Sequence, residues 1–319
     1  MKTFLYILKT ILYGWFGAAK EFFAILCKLY RRWRSRKNKG RVVATSNCVP
    51  IYNPAFVKPD PLIYDQYYLT SLGLAVTWDN PDIQLYLNGT PVSSSLLAPG
   101  TTYEVVAQIW NNSTDSPAVA MPVAFSFLEF GISTVSVPIG STQVNLGVKG
   151  GPGCPAYATM PWTTPTTPGH YCIQVQLQPF ADVNFNNNLG QENTNVGTAA
   201  SPAVFTFPLR NGTRRTQTYN FEVDAYIPLA PDPCGSGSND AKARAAKLAR
   251  NKRGLFPVPP GWQITITPNA ATLLPNQSVP ITVSATPPSG FTGGNQVLNI
   301  HAFYAGGIAG GVTLTVNVP

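Results

Sequence analysis

The chain has 319 residues, 44% of them hydrophobic and 11% charged, with 27 Gly and 30 Pro and a formal net charge of +8. That length is enough for two domains with their own cores, and sparse charge with Gly and Pro punctuating short Val-, Thr-, Tyr- and Phe-rich stretches points to an all-β protein. The excess charge is local: residues 1–41 hold eleven Lys and Arg against the single acid Glu21, a net +10 that leaves −2 on the rest, so a uniformly basic body is excluded.

The first thirty residues, MKTFLYILKTILYGWFGAAKEFFAILCKLY, are oily, but Lys9, Lys20, Glu21 and Lys28 interrupt them. A bilayer span needs about 20 consecutive apolar residues, and the longest uncharged run, residues 10–19, is too short for one. At 100° per residue Lys2, Lys9, Lys20, Lys28 and Arg31 fall on one face, and Phe4, Leu8, Ile11, Leu12, Trp15, Phe22, Ile25, Leu26 and Leu29 on the other. The pattern predicts an amphipathic helix suited to lie among lipid headgroups. The run RRWRSRKNKGR that follows places Arg32, Trp33, Arg34, Arg36 and Lys37 where they would extend the contact, each cation near a negative leaflet being worth about 1 kcal/mol. An anionic membrane surface is therefore the expected partner of residues 1–41. Three other readings stand beside it: a signal peptide cleaved near Gly17-Ala18-Ala19, a basic arm that binds nucleic acid as on a coat or shell protein, and a helix packed on its own body with a solvated charge run. Cations on the C-terminal side of the oily segment would place the body inside by the positive-inside rule, were the segment to span.

Residues 42–61 are rich in Pro and Asn and read as a linker. From residue 62 to 197, short strands with turn signals follow: DIQLYLNG, TTYEVVAQIWNNS, AVAMPVAFSFLEFG, TQVNLGVKG and HYCIQVQLQPF. Tyr103, Val105, Ala107 and Ile109, and again Tyr171, Ile173, Val175 and Leu177, alternate with period two, so each strand is expected to bury one face of a sandwich. A second set over residues 198–319 begins with AVFTFPLRN and QTYNFEVDAYIP and resumes with WQITITP, VPITVSATPP, QVLNIHAFY and GVTLTVNV, which predicts another sandwich. The interruption at 235–256, with Lys242, Arg244, Lys247, Arg250, Lys252 and Arg253, reads as an exposed basic loop.

Candidate chemistry is thin. Asp182, Asn187, Asn188 and Glu192 belong to a segment dense in oxygen donors that would suit Ca²⁺, although the spacing is not that of an EF-hand loop and Asx-turns at a strand corner would use the same residues. Cys154 and Cys172 are close enough in sequence to form a disulfide, and a pair of buried thiols is the other reading. No CxxC or Cys/His cluster suggests zinc. The two histidines, His170 and His301, sit inside strand patterns, and the close acid pairs are Asp79/Asp82 and Glu222/Asp224. No nucleophile elbow, P-loop, HExxH or dinucleotide fingerprint appears, so no cofactor, small-molecule substrate or catalysis is expected. Trp110, Trp162 and Trp262 would suit a protein or glycan ligand if exposed, and sandwich cores if buried.

The stretch WTTPTTPGHYCIQVQLQPFADVNFNNNLGQENTNV from Trp162 resembles the CARDB family of bacterial cell-adhesion-related immunoglobulin-like domains, through Trp162, Gly169, His170, Cys172, Asp182, Asn187, Asn188, Gln191 and Asn193. The likeness spans about residues 80–197, and residues 198–319 are similar to the Ig-like modules that often follow such domains. It implies two tandem immunoglobulin-like β-sandwiches behind the N-terminal amphipathic helix. They would serve as an extracytoplasmic or cell-surface binding or spacer unit with an unassigned ligand, and an amphipathic basic segment would stand in place of an export signal.

Overall fold

Alternation forms the strands wherever one face must leave water. In β4 (Thr102–Asn111) Tyr103, Val105, Ala107 and Ile109 are buried, and in β8 (Gly169–Leu177) so are Tyr171, Ile173, Val175 and Leu177, as the pattern predicts. The computed structural model describes residues 58–129, 132, 134–196, 204–228, 249–291 and 294–318. Within these the fold is two all-β, immunoglobulin-like sandwiches, every strand pairing antiparallel. Among the described residues no helix is long and apolar enough to cross a membrane.

In the first sandwich one sheet runs β3 (Thr90–Val92), β2 (Ile83–Leu87), β4 and β7 (Ala156–Thr163), with the short β1 (Pro61–Leu62) on the far end of β4. The facing sheet runs β6 (Ser136–Leu146), β5 (Ala118–Glu129), β8 and β9 (Leu189–Val196). Phe125, Ile173, Val175, Leu85, Val105 and Trp162 fill the space between them. The β2–β3 turn is Asn88-Gly89, both at positive φ (51° and 78°), the geometry that matches the strand twist of a two-residue hairpin.

The second sandwich stacks β10 (Val204–Arg210), β14 (Ser278–Thr286) and β12 (Gln263–Thr267) on β13 (Ala270–Leu273), β11 (Gln217–Asp224), β15 (Gly294–Tyr304) and β16 (Gly307–Val318). Phe207, Leu209, Tyr219, Ile281, Leu298 and Ile300 form its core.

The two cores are stitched together by the first sandwich's connecting segments. Ile132, between β5 and β6, is buried in the second core and exchanges backbone hydrogen bonds with Pro208 and Arg210 of β10. A short helix α1 (Gln66–Ser71), capped by the Asp65 carboxylate on Tyr68 N, leads into residues 73–78. That strip bonds Ala75 N to Asn251 O and receives Arg253 N at Gly73 O. The C-terminal end of the basic segment, residues 249–256, is thus anchored rather than a free loop: Arg253 also stacks on Phe303 and pairs with Glu222 at 3.1 Å. Residues 229–248 lie outside the described residues.

Candidate functional site

The membrane-binding set, from Lys2 through Trp15 to Arg36 and Lys37, lies outside the described residues. The other sequence-derived candidates are placed. Three of the four oxygen-donor residues gather at the corner between β8 and β9. Asp182 Oδ1 accepts from Asn184 N at 2.8 Å, and its Oδ2 accepts from Asn188 Nδ2 at 2.7 Å. Asn187, in a 3-10 turn (Phe185–Asn187), donates from Nδ2 to Asp60 Oδ1 at 3.2 Å. Asp60, a residue that the sequence pattern did not single out, is held there because Val183 N bonds Pro59 O and Asp60 N bonds Asn111 Oδ1. Burial raises Asp182 above the usual carboxylate range, and the nearby charge of Asp60 pushes the same way. The loop carrying these residues exposes Phe180 (84%), Val183 (65%) and Phe185 (60%) to solvent.

Glu192 does not join them, which corrects the four-residue set. It stands opposite Ile173 across the β8–β9 ladder, so period-two geometry turns it inward at the edge of the sandwich. Its carboxylate accepts from Asn80 N and from the Ser94 hydroxyl beside Asp79. A cleft of about 310 Å³, lined by Asp79, Asn80, Gln84, Ser93, Ser94 and Glu192 among others, opens there. Burial pushes Asp79 up to about 6 and also raises Glu192 well above its ordinary value, the Asp79 charge adding to it. Two neighbouring acids with raised values can do acid–base work. Here Glu192 is 4% exposed and hydrogen-bonded within the wall, so the immediate consequence is for stability.

Cys154 and Cys172 are both buried and are not bridged to each other, which corrects the disulfide reading. Tyr171 and Ile173 face the first core, so Cys172 between them faces out of that sheet, whereas Cys154 belongs to the core itself. A sheet separates the two sulfurs. Burial raises the Cys172 thiol well beyond its ordinary range. Of the tryptophans, Trp162 and Trp262 are in the cores, and Trp110, half-buried, donates Nε1–H to Asp82 at 2.9 Å.

The densest polar arrangement lies at the joint between the sandwiches. Trp78, fully buried, donates Nε1–H to His301 Nδ1 at 3.3 Å, which leaves the His301 proton on Nε2, 3.1 Å from Asp224 Oδ2. Asp224 Oδ1 accepts from Asn299 Nδ2 and Tyr226 N, and Thr313 Oγ1 donates to Asn299 Oδ1 and accepts from Trp78 N. Burial alone would raise Asp224, but the hydrogen bonds from His301 Nε2, Tyr226 N and Asn299 Nδ2 hold it below the usual range. Both ring nitrogens of His301 are consumed inside the joint. His170 packs edge-on against Phe205 at 4.4 Å, and burial lowers it to about 4. The sequence signal for the joint was the Gly310-Gly311 pair inside a strand, since paired glycines in a strand mark close approach by another group.

No family model matches the chain, and no curated protein matches it. Solved structures similar to it include a CARDB domain from Pyrococcus furiosus in complex with di-metal ions (15% identity, 44% of this chain and 91% of that one, TM-score 0.29). The D0-D1 domain of intimin is similar over 71% of this chain and 94% of its own length (13% identity, TM-score 0.23), and the C-terminal domain of wzt over 43% and 88% (10% identity, TM-score 0.25). At these scores the strand pairing, not the likeness, carries the immunoglobulin-like assignment.

Proposed function

We propose that the chain is a non-catalytic adhesion, display or spacer protein that works at a membrane surface, its residues 1–41 attached to anionic lipid and its two sandwiches standing off as one stiff body. The observation that carries this reading is the place where the body begins. Residues 58–60 enter at the β8–β9 corner, where Pro59 O accepts from Val183 N, and the same corner holds Phe180, Val183 and Phe185 out in water. The chain therefore enters the body beside its exposed aromatic corner, and exposed apolar clusters of this sort mark contact surfaces. The engagement of both His301 nitrogens inside the joint supports a structural use of the residue that a catalytic reading would need. The CARDB resemblance favours the extracytoplasmic face, with a protein or glycan ligand.

Flotation on phosphatidylserine vesicles tests the reading, with residues 1–41 present and deleted. Binding to anionic vesicles, lost on deletion and weakened by salt, is the expected result. Binding of RNA or DNA with a steep salt slope and no flotation would move the chain to the class of coat or shell proteins with a basic arm.

A further inference from the structure

We infer that the loop between β8 and β9 is a lipid-contact point in its own right, a stiff apolar tip that enters the interfacial zone of a bilayer through Phe180, Val183 and Phe185. The inference deepens the reading of residues 1–41 given above and rests on it for the nearness of a membrane. Three large apolar side chains stand in water within six residues of chain. Nothing else that the loop shows to solvent is charged: its other exposed residues are Gln178 and Asn186. The one acid of the loop, Asp182, is buried, with its two oxygens engaged by Asn184 N and Asn188 Nδ2. A tip of hydrocarbon and neutral amides strips no ion of its hydration on entering lipid headgroups.

The tip is also held in shape. Leu177 N bonds Asn188 O across its base, Gln178 N bonds Pro122 O, Val183 N bonds Pro59 O, and Asx-turns fix Asp182 on Asn184 and Asn184 on Asn186. Covering its side chains therefore costs little backbone entropy. Two facts of placement select a bilayer as the occupant. First, β8 runs from His170, which packs on Phe205 of the second sandwich, to Leu177, where the loop begins. Seven residues at about 3.3 Å each carry the loop about 23 Å along the strand from that contact, so the second sandwich leaves it open. Second, residues 1–57 precede the described body, and the chain arrives at Pro59, bonded to the tip itself. A surface held by residues 1–41 is thus tethered to the tip, and a tethered contact needs little affinity of its own.

The test is flotation of the full chain on vesicles of phosphatidylserine and phosphatidylcholine at low and high salt, beside Phe180→Ser/Phe185→Ser. Both rings are exposed, so the double variant should unfold at the wild-type urea midpoint. It should bind about tenfold more weakly at both salt concentrations, because apolar contact is not screened, whereas the share due to the cations falls with salt. Phe185→Trp adds a reporter, and the emission it adds over the wild type should be quenched by brominated phosphatidylcholine. The same measurement is made with the full chain held through an N-terminal hexahistidine on phosphatidylcholine vesicles that carry a nickel-chelating lipid, which tethers the chain whether or not residues 1–41 bind anionic lipid. Quenching there, with no flotation of the wild type on phosphatidylserine, would support the tip and refute the reading of residues 1–41. Equal flotation of wild type and double variant at both salts, or added emission that brominated lipid leaves unquenched, would overturn the tip and leave that reading standing. A dimer of the wild type in sedimentation without lipid, lost in the double variant, would overturn it in favour of a second copy of the chain as occupant.

Discussion

Gly311→Ala puts the joint between the sandwiches to its hardest test. Gly311 pairs with His301 across the β15–β16 ladder, and Trp78 lies over both. A Cβ at position 311 would stand 2.1 Å from Trp78 Nε1, 2.5 Å from Trp78 Cε2 and 2.3 Å from the Ile300 carbonyl oxygen. The first two contacts force the indole off its hydrogen bond to His301; the third presses on backbone that cannot shift without disturbing the ladder. Overpacking of this kind costs about 1–3 kcal/mol, and an unpaired His301 nitrogen about 1 kcal/mol more. With a urea dependence of about 2 kcal/mol per molar, a loss of about 3 kcal/mol lowers the unfolding midpoint by about 1.5 M. Urea unfolding followed by tryptophan fluorescence measures it. Combining Gly311→Ala with Trp78→Phe should cost less than the sum of the two, since the smaller ring vacates the space the methyl needs. A single variant that unfolds at the wild-type midpoint would refute the packing account of the joint.

Stability should fall as pH rises from about 4 to about 6, because Asp79, Asp82 and Glu192 bind protons more tightly folded than unfolded; Asp79→Asn should remove part of that fall and stabilise the protein at pH 7.5 by about 2 kcal/mol, read by urea titration. Asp224 has the opposite sign: its depressed value adds stability above about pH 4 that is lost on further acidification, and Asp224→Asn should flatten the acid limb of the same profile. Cys172 should react with an alkylating reagent in urea without reductant and resist it in the native protein, as mass spectrometry of its peptide will show. Ile132→Ala, a truncation within the second core by a residue of the first sandwich's connection, should cost about 2–4 kcal/mol in urea unfolding.

The fold was legible where one face is wet. β4 and β8 alternate cleanly, and each was found from the alternation alone. β9 carried no such signal: LGQENTNV has Gln191, Glu192, Asn193 and Thr194 all buried, because the α1 segment covers one face with hydrogen bonds and the Asp79 cleft takes the other. A buried polar strand reads as a loop, since the pattern that betrays strands is the pattern of water on one side. The same blindness split the oxygen-donor set. Spacing placed Glu192 with Asp182, but once residues 189–196 are a strand, Glu192 must face inward and the second acid at the corner is Asp60, too distant in sequence to be seen. Trp78 was overlooked because it follows no strand pattern of its own; its importance lies in the glycine saddle of β16 that receives it.

The chemistry of the joint sets how the two sandwiches are held. Two sandwiches that met through apolar side chains alone would be held together but free to slide, since such contacts lack direction. Here Trp78 and Ile132 supply the apolar burial, while Thr77, Thr313, Asn299, His301 and Asp224 make bonds that each require one distance and one angle. Ile132 Cγ2 would also lie 3.0 Å from a Cβ on Gly310, so Gly310 and Gly311 of β16 both lie against groups from the other sandwich. Burying Asp224 costs desolvation that its hydrogen bonds offset only in this arrangement, so a rotated joint would leave its charge unpaired. Polar groups in the seam thus penalise every other orientation more than they stabilise this one. That is the property by which the seam fixes one orientation of the two sandwiches.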